Sequence, residues 1–433
     1  MSGVLKWLAV LYVALLPFGR SGLPLHAQYG DLVFPVLVLA AAGLCGGLVS
    51  RADWPLALYL LVTAMTAAVS PEPMTGVAHL AKQFYVAAIF VVFRRLAAEA
   101  DLTERLEKTY VRAVAALTTL SILAVFVGGF KGGPGRTFGE VQVLPVLGEV
   151  RRLRGLFEAP EFLGNALLVA FLLALAWRGR VLSGKRAAWT AIAVLLAAGE
   201  FLTYSRSIAG FGVATVLFVS PGIRSRGLRV SAWIVALAVV LIVNVASVIG
   251  PAPKGTATHY EVGSVSFDLL GVKVEGRLMS YAALKQIAWS AFLDHPVSGI
   301  GPGRFPTETE RAFAEGRTTS RYRSVPPHSD LSGRLAETGV PGGVSLVVLW
   351  LAWLRALRPG LALGTPSQRA AAAAVIGILV NSLNADVMNF RFLWLALAWA
   401  TFAQARPDAA QGLVPGAPAT VSTSTRRLRA PAA

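Results

Sequence analysis

Three residues combine a reactive or charged side chain with a place next to an apolar segment. His328 lies in SVPPHSDLSGRLAETGVPGG, and an imidazole titrates near neutrality, so it can accept a proton from a hydroxyl group. Arg206, in TYSRSIAGFGV, and Arg277, in EGRLMSY, carry guanidinium groups, whose rigid donor forks suit phosphate. Each residue also has a plainer interpretation, because arginines often reach the membrane surface and a loop histidine is often solvated. Alone, they predict a general base and two anion contacts without naming a reaction.

The elements that must position these residues are membrane helices. The chain has 433 residues, of which 55% are hydrophobic, and its mean hydropathy is +0.61. Stretches near the ~20 residues that cross a bilayer as a helix recur along it. We predict an all-α polytopic membrane protein with about twelve transmembrane helices, at 4–18, 31–49, 54–70, 76–93, 110–129, 160–177, 187–203, 207–222, 229–249, 338–356, 370–385 and 388–403.

The positions of the charges give the predicted orientation. A net charge of +17 would suggest a nucleic acid partner in a soluble protein. Here, however, lysine and arginine cluster in alternate connections, which is the positive-inside pattern of membrane proteins. We therefore predict the lipid bilayer as a partner and no nucleic acid, with both termini in the cytoplasm.

The spacing of the spans divides the chain into four regions. Residues 1–250 are predicted to hold the first nine transmembrane helices, and 338–403 the last three. Between them, 251–337 is an external loop domain with amphipathic helices, because apolar residues recur at helical spacing from Glu275 to Pro296 and Arg277 opens that pattern. The tail, 404–433, is rich in Ala, Pro, Thr and Ser, which predicts disorder.

Further charged residues could contribute to the same site. Lys82 and Arg154 could add positive charge to an anion pocket, and Arg323 lies in an arginine-bearing part of the loop. Glu337 begins an apolar segment, where its carboxylate would favour the positive end of a helix. The chain has no glycine-rich nucleotide loop with Lys-Ser/Thr and no paired-histidine metal signature, so the sequence argues against an ATP-driven pump or a zinc hydrolase.

Three motifs, in this order, resemble those of the O-antigen ligase and polymerase superfamily of bacterial envelope glycosyltransferases. YSRS at 204–207 is similar to a Ser-Arg pair that opens a helix in that family. The run from Gly276 to Phe305 is similar to its Arg, helix, Asp-His-Pro and Gly-x-Gly-x-x-Phe sequence. His328 is followed nine residues later by Glu337 and then by two glycines, as in the family, although Ser329 stands where Asn is common.

This resemblance implies a GT-C-like fold and a reaction. A glycan would pass from an undecaprenyl-diphosphate carrier to an acceptor hydroxyl at the periplasmic face of the bacterial inner membrane, with no cofactor and no metal. Arg206 and Arg277 would hold the diphosphate, and His328 would orient or deprotonate the acceptor, giving inversion by a single displacement. Lys82, Arg154, Glu337 and Arg323 would bind substrate. We expect His328 within roughly 10 Å of the arginines, a span that a diphosphate and a sugar can bridge.

Several functions fit this reading of the motifs. An O-antigen ligase, which transfers finished polysaccharide to lipid A-core, is favoured by the length of the late loop and by the pattern that follows His328. The alternative within the superfamily is a polymerase that joins carrier-linked repeat units, and a protein O-oligosaccharyltransferase is a third possibility. A different class, a twelve-span transporter of lipid-linked sugars, usually has its long link central and cytoplasmic.

Overall fold

The architecture was obtained from a computed structural model of the chain. It describes residues 3–19, 28–45, 50–127, 138–144, 148–251, 261–269, 272–318 and 322–402. The predicted C-terminal tail, 404–433, lies outside the described residues.

Helices make up most of the described chain. In chain order they are α1 (Gly3–Leu15), α2 (Tyr29–Cys45), α3 (Trp54–Ala68), α4 (Pro73–Leu96), α5 (Ala100–Ile122), α6 (Pro160–Arg180), α7 (Ser183–Leu202), α8 (Ile208–Val219), α9 (Arg226–Val248), α10 (Ser280–Asp294), α11 (Phe305–Ala314), α12 (Asp330–Leu363), α13 (Pro366–Asn381) and α14 (Arg391–Thr401). Each predicted span coincides with one of these helices, and α10 and α11 fall in the predicted loop domain.

The prediction of a helical membrane protein is confirmed, and the number of crossings stays a prediction. Within the described ranges, five helices are long and apolar enough to cross a membrane: Pro73–Leu96, Ala100–Val127, Pro160–Arg180, Arg226–Val248 and Asp330–Leu363. Shorter apolar helices lie at Gly3–Leu15, Tyr29–Gly43, Trp54–Ala68 and Ile208–Gly222.

Small residues let the central helices approach one another. Thr365 and Gln368 form a capping box at the start of α13, and a run of buried alanines, Ala370–Ala374, follows. A side-chain carbon added at Gly210 of α8 would lie only 2.0 Å from the carbonyl oxygen of Gly377 in α13. Small residues permit such crossings in membranes. The α8–α13 crossing therefore fixes the helix that begins just after Arg206.

Short strands accompany the helices and correct one prediction. β1 (Gly139–Leu144) pairs with β2 (Gly148–Leu153), and β3 (Ile249–Pro251), β5 (Val272–Met279) and β4 (Glu261–Leu269) form an antiparallel sheet in that order. Arg277 lies in β5, so the prediction that it opens the amphipathic helix was wrong; α10 begins at Ser280. The reason is the sequence VKVEGR, in which apolar and charged residues alternate with the period of a strand before helical spacing begins.

Candidate active site

The ring of Tyr281, in the first turn of α10, joins two of the predicted catalytic residues. The Arg206 guanidinium carbon lies 3.7 Å from the centre of that ring. The His328 ring centre lies 5.0 Å from it. Because both residues contact one ring, Arg206 and His328 lie within the roughly 10 Å expected from the sequence.

The turn that carries Arg206 is held by buried hydrogen bonds. The Ser207 hydroxyl donates to Glu200 Oε1 (2.6 Å), and the Thr203 hydroxyl donates to the carbonyl of Glu200 (2.7 Å). The Nε of Arg152 donates to the carbonyl of Thr203 (2.8 Å). A buried polar network of this kind is rigid only when its members are paired. It fixes Arg206 just before the N-terminus of α8.

Two buried amides tie that N-terminus to the neighbouring helices. Asn381, at the end of α13, accepts from the backbone N–H of Gly210 (2.9 Å) and donates to Asn165 Oδ1 (2.8 Å). The same amide donates to the carbonyl of Ser207 (3.3 Å). Asn165 donates in turn to the carbonyl of Glu161 on α6 (2.8 Å). Three helices therefore position the Arg206 turn together.

His328 has a fixed place immediately before α12. Its backbone φ is +50°, a left-handed conformation that non-glycine residues seldom adopt. The next helix is anchored by Asp330, whose carboxylate accepts from the backbone N–H groups of Val387 (3.1 Å) and Met388 (3.3 Å). The hydrogen bonds of Asp330 to the segment after α13 hold the backbone next to His328, and the ring of Tyr281 holds the imidazole.

The environment of His328 favours the neutral imidazole. Burial lowers the pKa of His328 below its ordinary value of 6.5. Glu161 opposes this shift, Arg206 adds to it, and Asp386 opposes it. A neutral imidazole at pH 7 can accept a proton, which a general base requires.

A further cation lies on the Arg206 side. Lys285, one turn along α10 from Tyr281, donates to Asn384 Oδ1 (3.3 Å). Burial and the nearby charge of Arg206 lower the pKa of Lys285. Two cations that repel each other in this way favour an anion between them. The side chain of Arg277 lies outside what the structure describes; its backbone pairs with Gly250 and Ser264 across the sheet, at the strand that leads into α10.

A cavity of about 160 Å³ lies beside His328. Its walls are His79, Lys82, Gly303, Pro306, Pro326, Pro327, Ser329, Asp330, Gly333, Arg334, Glu337, Asp386 and Asn389. The two chain neighbours of His328, Pro327 and Ser329, belong to these walls, as do the predicted substrate contacts Lys82 and Glu337. Arg206 and Tyr281 are not among them, so the cavity and the contact of Arg206 with Tyr281 are separate features that both adjoin the His328 segment.

Buried Arg334 organises one wall of the cavity. Its Nη1 lies 2.7 Å from His79 Nε2 and 3.5 Å from Glu337 Oε2. Gln83 also directs its amide nitrogen at His79 Nε2 (3.4 Å). Arginine has no acceptor, so His79 Nε2 must be unprotonated here and His79 must carry its proton on Nδ1.

Two carboxyl groups of the cavity lining meet close to Arg334. Asp330 and Asp386 lie close enough to hydrogen-bond to each other. Two carboxyl groups can do so only if they share one proton, because two carboxylates repel. Asn389 donates to the other side of Asp386, and the charge of Lys82 faces the same carboxyl group.

Glu337 joins two of the sequence motifs into one structure. Its carboxylate accepts from the backbone N–H of Phe305 (3.4 Å), and its carbonyl accepts from Gly301 (2.9 Å). Gly339, with φ +64°, interrupts α12, and a side-chain carbon added at Gly299 would lie 2.3 Å from the Glu337 backbone. The turn at residues 299–305, GIGPGRF, therefore docks on the start of α12, and its glycines permit the close approach.

The remaining predicted contacts lie apart from this cavity. The backbone N–H of Arg154 donates to the carbonyl of Phe138 (2.9 Å), and its neighbour Arg152 is the arginine that holds the Arg206 turn. Arg323 is exposed and pairs with Glu310 (2.6 Å) on the surface of α11. The structure thus brings Arg206, Lys82 and Glu337 to the surroundings of His328. Substrate binding by Arg154 and Arg323 stays a prediction.

Sequence reasoning missed several members of the site. Tyr281 was assigned to the apolar face of a helix, and Arg334 was not singled out although it lies three residues before Glu337 on the same helical face. His79 has the same kind of signal, because it shares a face of an apolar helix with Lys82 and Gln83.

Comparison with known families identifies the central segment. Residues 191–347 match the family model described as O-Antigen ligase (Wzy_C). The match includes Arg206, Arg277, His328 and Glu337. It confirms the resemblance to the O-antigen ligase and polymerase superfamily. A search among curated proteins gave no match.

The helical architecture and this match together define the class of protein. The apolar helices indicate a multi-pass membrane protein, and the match over residues 191–347 supports a glycosyltransferase-like function of the O-antigen ligase or polymerase type. Such a function implies lipid-linked glycan substrates and a role in lipopolysaccharide biosynthesis.

Proposed function

We propose that the protein is an O-antigen ligase-type glycosyltransferase. It transfers a polysaccharide from undecaprenyl diphosphate to a hydroxyl group of lipid A-core at the periplasmic face of the inner membrane, and both termini are cytoplasmic. One observation carries the proposal: Arg206 and His328 contact the same tyrosine ring inside the segment that matches the family. An anion contact and a base that flank one ring are what this transfer needs.

The leaving group is a lipid diphosphate, and the Arg206 side fits it. Arg206 precedes the N-terminus of α8, and the positive end of that helix's dipole also favours an anion. Lys285 adds a second cation, and Arg277 is predicted to add a third from the end of β5. Fixed positive charges offset the charge that develops on the diphosphate in the transition state. We therefore expect no metal requirement.

His328 acts on the acceptor. The acceptor oxygen forms a bond to the anomeric carbon, the bond from that carbon to the diphosphate oxygen breaks, and the hydroxyl proton passes to the His328 imidazole. Undecaprenyl diphosphate leaves with the electron pair. One displacement inverts the configuration at the anomeric carbon, and no carboxylate nucleophile takes part.

A polymerase remains the alternative, because the family match does not distinguish a ligase from a polymerase. In that reaction the acceptor hydroxyl belongs to a carrier-linked repeat unit. A strain that lacks the gene separates the two. Long carrier-linked chains accumulate when a ligase is lost, and single repeat units accumulate when a polymerase is lost.

The direct test is transfer by the purified protein. Undecaprenyl-diphosphate glycan and lipid A-core are mixed with the protein in detergent or nanodiscs, and the glycosylated lipid is resolved on a gel. We expect product with the wild type and none with His328→Ala or Arg206→Gln. Arg311→Met is the control, because Arg311 is exposed and pairs only with its neighbour Glu315 (2.9 Å) in the described structure. Undiminished transfer by His328→Ala would contradict the proposed role.

A further inference from the structure

We propose that the cavity beside His328 binds the sugar ring of the acceptor that carries the attacking hydroxyl group. This inference rests on the proposed function and assigns Lys82, Asp386 and Asn389 to a neutral, polyhydroxylated ligand. It differs from the expectation from sequence, which placed Lys82 with the diphosphate.

The first argument is position. Pro327 and Ser329, the chain neighbours of His328, line the cavity. Arg206 and His328 both contact the ring of Tyr281, and neither Arg206 nor Tyr281 lines the cavity. In a single displacement the nucleophile and the leaving group lie on opposite sides of the anomeric carbon, so acceptor and diphosphate need separate places near His328. If the diphosphate lies at Arg206, the cavity is a place for the acceptor.

The second argument is charge. The walls carry the cations Lys82 and Arg334 against the carboxyl groups of Asp330, Asp386 and Glu337. Arg334 is already engaged with His79 and Glu337. Because Asp330 and Asp386 share one proton, that pair and Glu337 together offset the positive charges of Lys82 and Arg334. The walls therefore leave no net positive charge for a diphosphate. Hydroxyl groups, which both donate and accept, suit such mixed walls.

The third argument is size and shape. The cavity holds about 160 Å³, and an engineered cavity of ~150 Å³ admits a benzene ring. One six-membered ring therefore fits, with its substituents at the open side. Pro306, Pro326 and Pro327 supply apolar walls for the C–H faces of that ring. Apolar walls with a few convergent polar groups are the usual lining of a small-molecule site.

The test measures sugar binding without any transfer. Purified protein in nanodiscs is titrated with a panel of methyl glycosides of hexoses and heptoses, and binding is followed by saturation-transfer NMR. We expect at least one glycoside to bind. Lys82→Met and Asp386→Asn should each weaken its affinity by roughly tenfold, since each removes a charge-assisted hydrogen bond. Lys82 is exposed, so its variant should fold; Arg311→Met is the matched control.

A second titration, with undecaprenyl diphosphate alone, separates this inference from the proposed function. Arg206→Gln should weaken that binding and leave glycoside binding unchanged, and Lys82→Met should do the reverse. No glycoside binding, or weakening of undecaprenyl diphosphate binding by Lys82→Met, would overturn the inference and leave the proposed function standing. Undecaprenyl diphosphate binding that survives Arg206→Gln would instead count against the proposed function.

Discussion

The two regions beside His328, one around Arg206 and one around Arg334, differ in the partners of their cations. In one region, half-buried Arg206 lies against the ring of Tyr281 and forms a hydrogen bond with that side chain, and Lys285 is a nearby cation. In the other region, buried Arg334 lies beside Glu337 and close to two further carboxyl groups. Both regions adjoin the His328 segment.

The partners of a cation, more than its presence, predict which ligand it binds. A guanidinium whose charge is left uncompensated attracts an anion, whereas one that is paired with carboxylates orders the wall of a polar cavity. The proposed leaving group and acceptor follow this division. The variants below test this division between the leaving group and the acceptor.

The largest effect should come from replacing His328, which adjoins both regions. Replacing His328 with Ala removes the proposed base, so we expect transfer to fall by roughly 10²- to 10⁴-fold. Binding of undecaprenyl diphosphate should be unchanged. His295→Ala is the matched control, because His295 is exposed on the turn after α10. A loss of donor binding in His328→Ala would show that the residue belongs to the anion side instead.

The geometry of Arg206 should matter as well as its charge. Arg206→Lys keeps a cation and loses the planar fork, so we expect transfer to fall by roughly tenfold to a hundredfold. The effect should appear in the affinity for undecaprenyl diphosphate and in the transfer rate, both measured on the purified variant. Full activity with lysine would mean that a point charge suffices and that the contact with Tyr281 is only structural.

Asn381 tests whether the Arg206 side depends on its support. Asn381→Ala leaves the N–H of Gly210 and the Oδ1 of Asn165 without a partner, which costs about 1–3 kcal/mol in a buried site. We expect roughly tenfold weaker binding of undecaprenyl diphosphate and unchanged glycoside binding. Thr215→Ala, on the same helix as Gly210, is the control. Equal loss of both ligands would indicate general unfolding rather than a positioning role.

The smallest effect concerns pH. The pKa of His328 lies below 6.5, so the acidic limb of the transfer rate should lie below that value. The rate falls as pH decreases through that limb, because the base becomes protonated. Glu161→Gln removes a negative charge that raises this pKa, so the limb should move to lower pH. Rates measured from pH 4 to 8 check the direction; a limb that moves upward contradicts the contact.

The helices were predictable because their signal is local. A long run of apolar residues favours a helix because a bilayer offers no other hydrogen-bond partners to the backbone. Each predicted span coincides with a helix. The strands of the loop were missed because the helical pattern that begins at Tyr281 was extended back to Arg277. The alternation of apolar and charged residues in VKVEGR favours a strand instead. Arg277 pairs with Gly250 and Ser264 on the two neighbouring strands, so this segment is a strand.

The site was predictable only in part because its members meet through the fold. His328 and Arg206 were chosen for their chemistry, and the ring that joins them comes from a helix where Tyr281 looked like one more apolar residue. His79 and Arg334 are 255 positions apart, and no local pattern reports such a pairing. Glu337 was read as a helix-start residue, and its backbone and carboxylate prove to hold the glycine turn of another motif.

The most direct test of the central claim is the position of a bound donor. A cryo-EM structure of the protein with undecaprenyl diphosphate would show the diphosphate relative to His328. We predict phosphate oxygens within ~3 Å of the Arg206 guanidinium, the distance of a hydrogen bond, and a cavity free of phosphate. Phosphate density between Lys82 and Arg334 in the cavity would contradict the assignment of the two sides.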